Sequence, residues 1–133
     1  MRGLITFTVA VCLAAQAVSA STGSAMIAVP SGQNIAFIDA LQDRTGQGLT
    51  QRFRFLAPDL PQMLQSQSYQ TLEADLAHLC EVYALPRLGM PQPKMIVISL
   101  HERAVEFGAS APDVAQVFEA YRPNDTICEW EAF

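Results

Sequence analysis

The segment KMIVISL, residues 94–100, constrains the fold of this chain more than any other stretch. It is a nearly unbroken run of apolar and β-branched residues. Such a run is typical of a strand in the middle of a sheet with both faces covered, or nearly so, because neither set of alternating side chains then meets water. We therefore expect a sheet with this segment as a central strand.

A second strand is predicted at residues 50–57, TQRFRFLA, from its alternating pattern. Successive side chains of a strand point to opposite faces, so Phe53 and Phe55 share one face and Arg52 and Arg54 share the other. The pattern indicates a half-buried antiparallel strand with the phenylalanines inward. Further strands are predicted at residues 26–29, 35–40, 105–108 (a hairpin partner of the central strand) and 126–133.

A helix is predicted at residues 68–85, where apolar residues recur at intervals of three and four and form one stripe. The residues of the stripe are Tyr69, Leu72, Leu76, Leu79, Cys80 and Tyr83. Ser68 is a suitable N-cap, and Pro86 ends the helix because the residue before a proline avoids helical geometry.

A second helix is predicted to start at Ser110. Ser110 and Asp113 have the spacing of a capping box, and Pro112 falls in the first turn. Its apolar stripe consists of Val114, Val117, Phe118 and Tyr121.

The predicted order of elements is therefore β-β-β-α-β-β-α-β. Runs of strands with only two helices favour an α+β two-layer sandwich, with a mainly antiparallel sheet and both helices on one face. A small β-barrel with helical additions is the alternative fold.

The N-terminus has the three-part pattern of a secretory signal peptide: Arg2, an apolar stretch at residues 4–18, and small residues at 17–20. Cleavage after Ala20 would leave a single domain at residues 21–133. A membrane anchor is the alternative, but the apolar stretch is shorter than the roughly 20 residues that a spanning helix needs. We expect a periplasmic or secreted protein with no membrane insertion once the signal peptide is removed.

Removal of residues 1–20 would take Cys12 away and leave only Cys80 and Cys128. Two cysteines in an exported protein usually form a disulfide. Cys128 shares a strand face with Thr126 and Trp130, which we expect to point into the core, whereas Glu129 and Glu131 would face outward and be free to meet a partner.

The chain is acidic, with 13 Asp and Glu against 8 Lys and Arg and a net charge of −5. Binding to the phosphate backbone requires a basic patch, so we expect no nucleic-acid partner.

Candidate site residues are few. His101, Glu102 and Arg103 follow the central strand, where an acid, a base and a cation are adjacent. Arg52 and Arg54 share a strand face and could bind an anion together. His78 and Cys80 point about 200° apart on a helix, so we predict no metal site there. No nucleotide-binding, nucleophile-elbow or zinc-hydrolase motif is present, and no cofactor is predicted.

The stretches RFRFLAP, LCEVYALP, IVISLHERAVEFG and ICEWEAF together resemble an uncharacterised family of short exported proteins from alphaproteobacteria of the Rhodobacter type. The resemblance covers most of the chain after the signal peptide. It implies a periplasmic or secreted domain of unknown function and carries no catalytic or binding residues over to this chain.

These observations favour an exported, non-catalytic domain that binds or assists an unknown envelope protein, and they leave the question of catalysis open. The alternative is a small periplasmic enzyme or a binder of small anionic molecules. In that alternative His101 and Glu102 act together with Arg103, or with Arg52 and Arg54.

Overall fold

The computed structural model describes residues 25–132 and shows one five-stranded sheet with its helices between the second and third strands. The strands are β1 (Ala36–Thr45), β2 (Gly48–Leu56), β3 (Met95–His101), β4 (Gln116–Asn124) and β5 (Ile127–Glu131). The helices are α1 (Leu60–Ser66) and α2 (Tyr69–Leu79), followed by a π-helical turn (Cys80–Ala84) and a 3-10 turn (Leu85–Arg87).

The central position of β3 confirms the prediction made from residues 94–100. The strands lie in the order β1-β2-β3-β4-β5, and all seven residues of β3 are buried. The α+β class is also confirmed. However, the sheet is mixed, because β2 and β3 run parallel while the other neighbours are antiparallel. The helical segment carries the chain from the end of β2 back to the start of β3, and a crossover of this kind makes neighbouring strands parallel.

Both helices pack on the face of the sheet that carries Phe53 and Phe55, as expected for a two-layer arrangement. The fully buried side chains of this core include Phe53, Phe55, Leu60, Leu72, Leu76, Leu79, Ile96, Ile98 and Leu100. The Tyr83 ring lies 5.1 Å from the Phe37 ring and 5.3 Å from the Phe55 ring, centroid to centroid. The predicted inward orientation of the phenylalanines in β2 is therefore confirmed.

The helix predicted at residues 68–85 is present as α2 and the two turns that follow it. Ser68 occupies the N-cap position, although its side chain makes no capping hydrogen bond. Helix α1 was not predicted, because the two prolines of residues 58–62 are typical of a segment without regular secondary structure. Pro61 instead lies in the first turn of α1, where a proline's missing N–H leaves no intrahelical hydrogen bond unmade.

The helix predicted from Ser110 is wrong, because residues 116–124 form strand β4. Val117 and Tyr121 do share a face, but because they lie an even number of residues apart on a strand that pairs with the central strand β3. The apparent helical spacing came from including Phe118, which lies on the opposite face. Sheet pairing supplies the backbone hydrogen bonds of this segment and overrides its local preference.

The predicted order of elements is corrected to β-β-α-α-β-β-β. Residues 26–29 make only an isolated bridge, between Met26 and Ala36. Strand β1 extends beyond the predicted residues 35–40 and includes residues 43–45. Residues 105–108 belong to the connection between β3 and β4, and the hairpin partner of β3 is β4 itself. The predicted signal peptide at residues 1–20 lies outside the described residues.

The C-terminal strand β5 is linked to the helical layer by a disulfide between Cys80 and Cys128, as predicted, with a Cα–Cα distance of 6.2 Å. The expected burial of Trp130 is wrong, because β5 is an edge strand and the indole is 61% exposed. Glu129 and Glu131 are not free, because they accept hydrogen bonds from Asn124 and Arg122 respectively.

None of the helices found in residues 25–132 has the length and apolar character needed to cross a membrane.

Candidate functional site

The face of the sheet opposite the helices carries a group of polar side chains. The register pairs Arg54 of β2 with Ser99 of β3, and Ser99 with Phe118 of β4. Arg52 and His101 lie two residues from Arg54 and Ser99 on the same strands, so they share this face. We call it the open face, because α1 and α2 pack on the other one.

The connection between β3 and β4, residues 102–115, crosses part of the open face. The carbonyl oxygen of Val105 accepts a hydrogen bond from Nη2 of Arg54. The Phe107 ring centroid lies 5.8 Å from Cζ of Arg52, within cation–π range. The connection thus forms a wall over the arginines.

Two further residues fix the base of this connection. Glu102 bonds twice to Ala115: its N–H donates to the Ala115 carbonyl at 2.9 Å, and its Oε2 accepts the Ala115 N–H at 3.0 Å. Arg103 donates to Asp113 at 2.9 Å on the exposed surface. Glu102 and Arg103 therefore hold the connection in place and do not line the cavity described next.

Between the wall and the sheet lies a cavity of about 110 Å³. Its lining residues are Arg52, Arg54, Val97, Ser99, His101, Phe107, Gln116 and Phe118. Four of the strand residues at its base are almost fully buried: Arg54, Val97, Ser99 and His101. The volume is comparable to that of an engineered cavity that holds benzene, of about 150 Å³. It is therefore suited to a molecule of a few heavy atoms.

Arg54 is the most unusual residue of the cavity, because its side chain is a cation with only 4% of its surface exposed. Its Nη1 donates to Asp39 Oδ2 at 3.3 Å and its Nη2 donates to Val105. Its buried Nε has no acceptor among the described residues. A buried donor without a partner costs about 1–3 kcal/mol, so Arg54 is incompletely compensated where it borders the cavity.

Arg52 is more exposed and is held by an aspartate. Its Nε lies 3.3 and 3.2 Å from the two carboxylate oxygens of Asp43. Asp39 and Asp43 partly offset the charges of the two arginines. The cavity therefore offers directed N–H donors more than a net positive charge.

His101 is buried beside Ser99, and its Nε2 lies 2.9 Å from the Ser99 hydroxyl oxygen. Its Nδ1 is buried and has no partner among the described residues. Burial lowers the pKa of the His101 imidazole, the Arg54 guanidinium lowers it further, and Asp39 opposes the shift. The ring is consequently neutral at neutral pH.

Hydrogen-bond donors outnumber acceptors in this cavity. Arg52, Arg54 and the Gln116 amide all carry N–H groups, and Ser99 and His101 can each donate or accept. None of the described side chains that line the cavity is a carboxylate. A small molecule that is rich in acceptor oxygens, such as a carboxylate, complements this arrangement best.

The structure brings together three of the five residues that the sequence singled out: Arg52, Arg54 and His101. Glu102 and Arg103 lie at the base of the connection instead. Ser99 could have been found from the sequence, since it is two residues from His101 on the same strand. The contributions of Phe107 and Gln116 depend on the path of the connection and on the β3–β4 register, and no sequence signal indicated them.

A second concave region lies on the helix side, lined by Glu73, Ala77, Glu119, Tyr121 and Trp130. There the Glu119 carboxylate is already engaged by the Tyr69 hydroxyl at 3.0 Å and by the Trp130 indole N–H at 2.7 Å.

No cluster of potential metal ligands occurs within residues 25–132.

The fold and site define a small α+β domain with a helical layer on one face and a donor-rich cavity on the other. The chain belongs to a family of unknown function, DUF6497, whose model matches residues 9–133. Comparison with curated proteins gives no match, and comparison with solved structures gives none either. Export and an alphaproteobacterial origin stay predictions from the sequence.

Proposed function

We propose that the protein is an exported, non-catalytic binding protein whose open-face cavity takes a small carboxylate. The observation that carries this proposal is the buried Arg54, whose Nε–H lacks an acceptor and whose side chain lines the cavity. The carboxylate would accept from this N–H and from the Arg52 guanidinium. Ser99 and Gln116 would add neutral hydrogen bonds.

The surroundings of the cavity also suit a ligand with a short apolar part. Val97 is a buried part of the base, and the rings of Phe107 and Phe118 stand at the sides. A carboxylate with one to three carbons attached fits the volume and covers these surfaces. The signal-peptide pattern and the Cys80–Cys128 disulfide support export, since disulfides persist in oxidising compartments. An envelope protein as partner stays a prediction.

Titration of the purified, disulfide-bonded protein with acetate, propanoate and butanoate, followed by NMR amide shifts, tests this proposal. A ligand this small is expected to bind with a Kd on the order of 1 mM. The saturable shifts should centre on residues that line the cavity, such as Ser99 and Gln116. Arg52→Met should weaken binding, whereas Arg103→Met, an exposed arginine outside the cavity, should not. Shifts that are absent, or that spread evenly over the surface, would refute the proposal.

A second candidate function is hydrolysis of small esters, and the Ser99–His101 contact of 2.9 Å favours it. A neutral histidine can take a proton from a serine hydroxyl during nucleophilic attack. The sequence paired Glu102 with His101 in a catalytic alternative, but the Glu102 carboxylate accepts the Ala115 N–H and does not line the cavity. Hydrolysis of p-nitrophenyl acetate that is lost in Ser99→Ala would favour this candidate. Equal rates in the two proteins would remove it.

A further inference from the structure

A second, larger cavity adjoins the cavity at Arg54 along the open face. This second cavity has a volume of about 420 Å³ and shares Arg52, Val97 and Phe118 with the first. Its other lining residues are Thr45, Gly46, Gln47, Thr50 and Met95. We call the two cavities together the open-face groove.

The floor of the groove beyond Arg54 is apolar. Met95, Val97 and Ala120 form a buried cluster that is separate from the main core on the helix side. The register places Val97 directly beside both Arg52 and Ala120, so the cluster lies across the middle of the sheet. Apolar side chains in a groove of this kind favour an apolar ligand, because contact with it removes their surface from water.

Two hydroxyl groups at the far end of the groove are already engaged. The hydroxyls of Thr45 and Thr50 lie 3.2 Å apart, and they lie 3.5 and 3.4 Å from the Gly48 carbonyl oxygen. Arg52 is the only charged side chain among the described residues that line the second cavity, and it stands where the two cavities meet. The groove therefore has a polar, donor-rich end and an end that offers no charge to a ligand.

The length of the groove sets the length of a matching ligand. Arg54 and Thr50 are four residues apart on β2, which corresponds to about 13 Å at the usual rise per strand residue. Met95 lies beside Thr50 in the register, so the apolar floor extends to the same level. A chain molecule with its head group at Arg54 can therefore lie along the strands as far as Met95.

We propose that the ligand is an unbranched aliphatic monocarboxylate of medium length, with its carboxylate at Arg54 and its hydrocarbon chain over Val97 and Met95. This proposal rests on the proposed function, because it takes the carboxylate position from it. It adds the class of the ligand and the direction in which the ligand lies.

A chain-length series tests this proposal. The affinities of acetate, butanoate, hexanoate and octanoate for the purified, disulfide-bonded protein are measured by NMR titration and calorimetry. The expected gain is about twofold to fourfold per added methylene, since a fully buried methylene contributes roughly fourfold. Octanol, which has the same chain without the charge, should bind at least about tenfold more weakly than octanoate, because a hydrogen bond to a charged group is lost.

A substitution at the far end of the groove gives a second measurement. Thr45→Trp should fill this end and lower the octanoate-to-butanoate affinity ratio towards one. Gln42→Trp is the matched control, because Gln42 is an exposed residue of the same strand and does not line the groove. It should keep the ratio of the original protein.

The outcomes separate the two proposals. Acetate and butanoate binding without any gain for octanoate would overturn the groove proposal and leave the proposed function standing. Absence of binding by every carboxylate would overturn both. Equal affinities for octanol and octanoate would contradict the placement of the head group at Arg54. Octanoate binding that requires dissociation of a dimer would assign the groove to a second copy of the chain and overturn the groove proposal.

Discussion

Two buried charged side chains, one on each face of the sheet, differ in whether hydrogen bonds within the chain satisfy them. Asp75 of α2 is fully buried on the helix side and accepts three hydrogen bonds: from the Ser31 N–H at 2.9 Å, the Ser31 hydroxyl at 2.5 Å and the Gln33 amide at 2.7 Å. The Arg54 side chain on the open face is 4% exposed, and its Nε has no acceptor among the described residues.

The difference separates a structural charge from a candidate binding charge. Burying a charge is costly unless hydrogen bonds compensate for it. Asp75 is compensated within the chain, where it ties the turn at residues 30–34 to α2. Arg54 is only partly compensated and lines a cavity, and under the proposed function a ligand supplies the remaining hydrogen bond. We therefore expect substitutions on the helix side to change stability alone, and substitutions at the cavity to change ligand binding.

The largest expected effect on stability comes from removing the disulfide on the helix side. Cys80 and Cys128 are separated by 48 positions, and the chain-entropy model gives about 4 kcal/mol for closing a loop of that size. We expect the Cys80→Ala, Cys128→Ala double variant to lose about this free energy of unfolding in urea titrations. Below its unfolding transition it should bind butanoate as before. Loss of binding in the folded variant would mean that the two faces are not independent.

Substitution of Asp75 should have the next largest effect. Asp75→Ala leaves the partly buried donors of Ser31 and the buried amide of Gln33 without their acceptor, and we expect a loss of about 3 kcal/mol in the free energy of unfolding. Asp59→Ala is the control, because Asp59 accepts hydrogen bonds from Asn34 at the exposed surface. The control should stay within about 0.5 kcal/mol of the original protein. Equal losses in both variants would contradict the claim that the buried hydrogen bonds of Asp75 contribute more to stability than the exposed ones of Asp59.

Arg54→Met should have a smaller effect on stability and the largest effect on binding. The variant loses the hydrogen bonds to Asp39 and Val105 but also removes an unpaired buried donor, so we expect a change of about 1 kcal/mol. Butanoate affinity should fall at least about tenfold, because a charge-assisted hydrogen bond is lost. Chemical denaturation and NMR titration measure the two quantities. An Arg54→Met protein that is folded and binds butanoate normally would contradict the role of Arg54.

The smallest effect concerns the pH dependence of stability through His101. Its folded-state pKa is lowered, chiefly by burial and then by Arg54, so the unfolded state binds the proton more readily. Stability from this group is present above the ordinary pKa of 6.5 and is lost as pH falls below it. His101→Gln should reduce the loss of stability between pH 7 and pH 5 in urea titrations. An unchanged slope would show that His101 does not contribute.

Some features of the two faces of the sheet could be predicted from the sequence. The alternation of Phe53 and Phe55 with Arg52 and Arg54 indicated which side chains of β2 face the core. The spacing of Leu72, Leu76 and Leu79 indicated α2. These signals are local, because one residue's face follows from its neighbours' positions in the same strand or helix.

Other parts depend on contacts between distant segments. The spacing of Val117 and Tyr121 fits both a helix and a strand. The segment forms a strand because it pairs with β3. The parallel β2–β3 register placed Arg54 beside Ser99, and the path of the β3–β4 connection brought Phe107 over Arg52. Local sequence patterns carry no information on such pairings, so the cavity became visible only in the three-dimensional structure.

The most direct test of the central claim observes the Arg54 guanidinium itself. Arginine side-chain Nε–H resonances of the purified, disulfide-bonded protein are followed by NMR during a butanoate titration, with Arg54→Met used to assign the Arg54 signal. We predict a saturable shift of the Arg54 Nε–H resonance, with the exposed Arg103 resonance unchanged. An Arg54 resonance that stays in place at saturating butanoate would contradict the assignment of the open-face cavity as a carboxylate site.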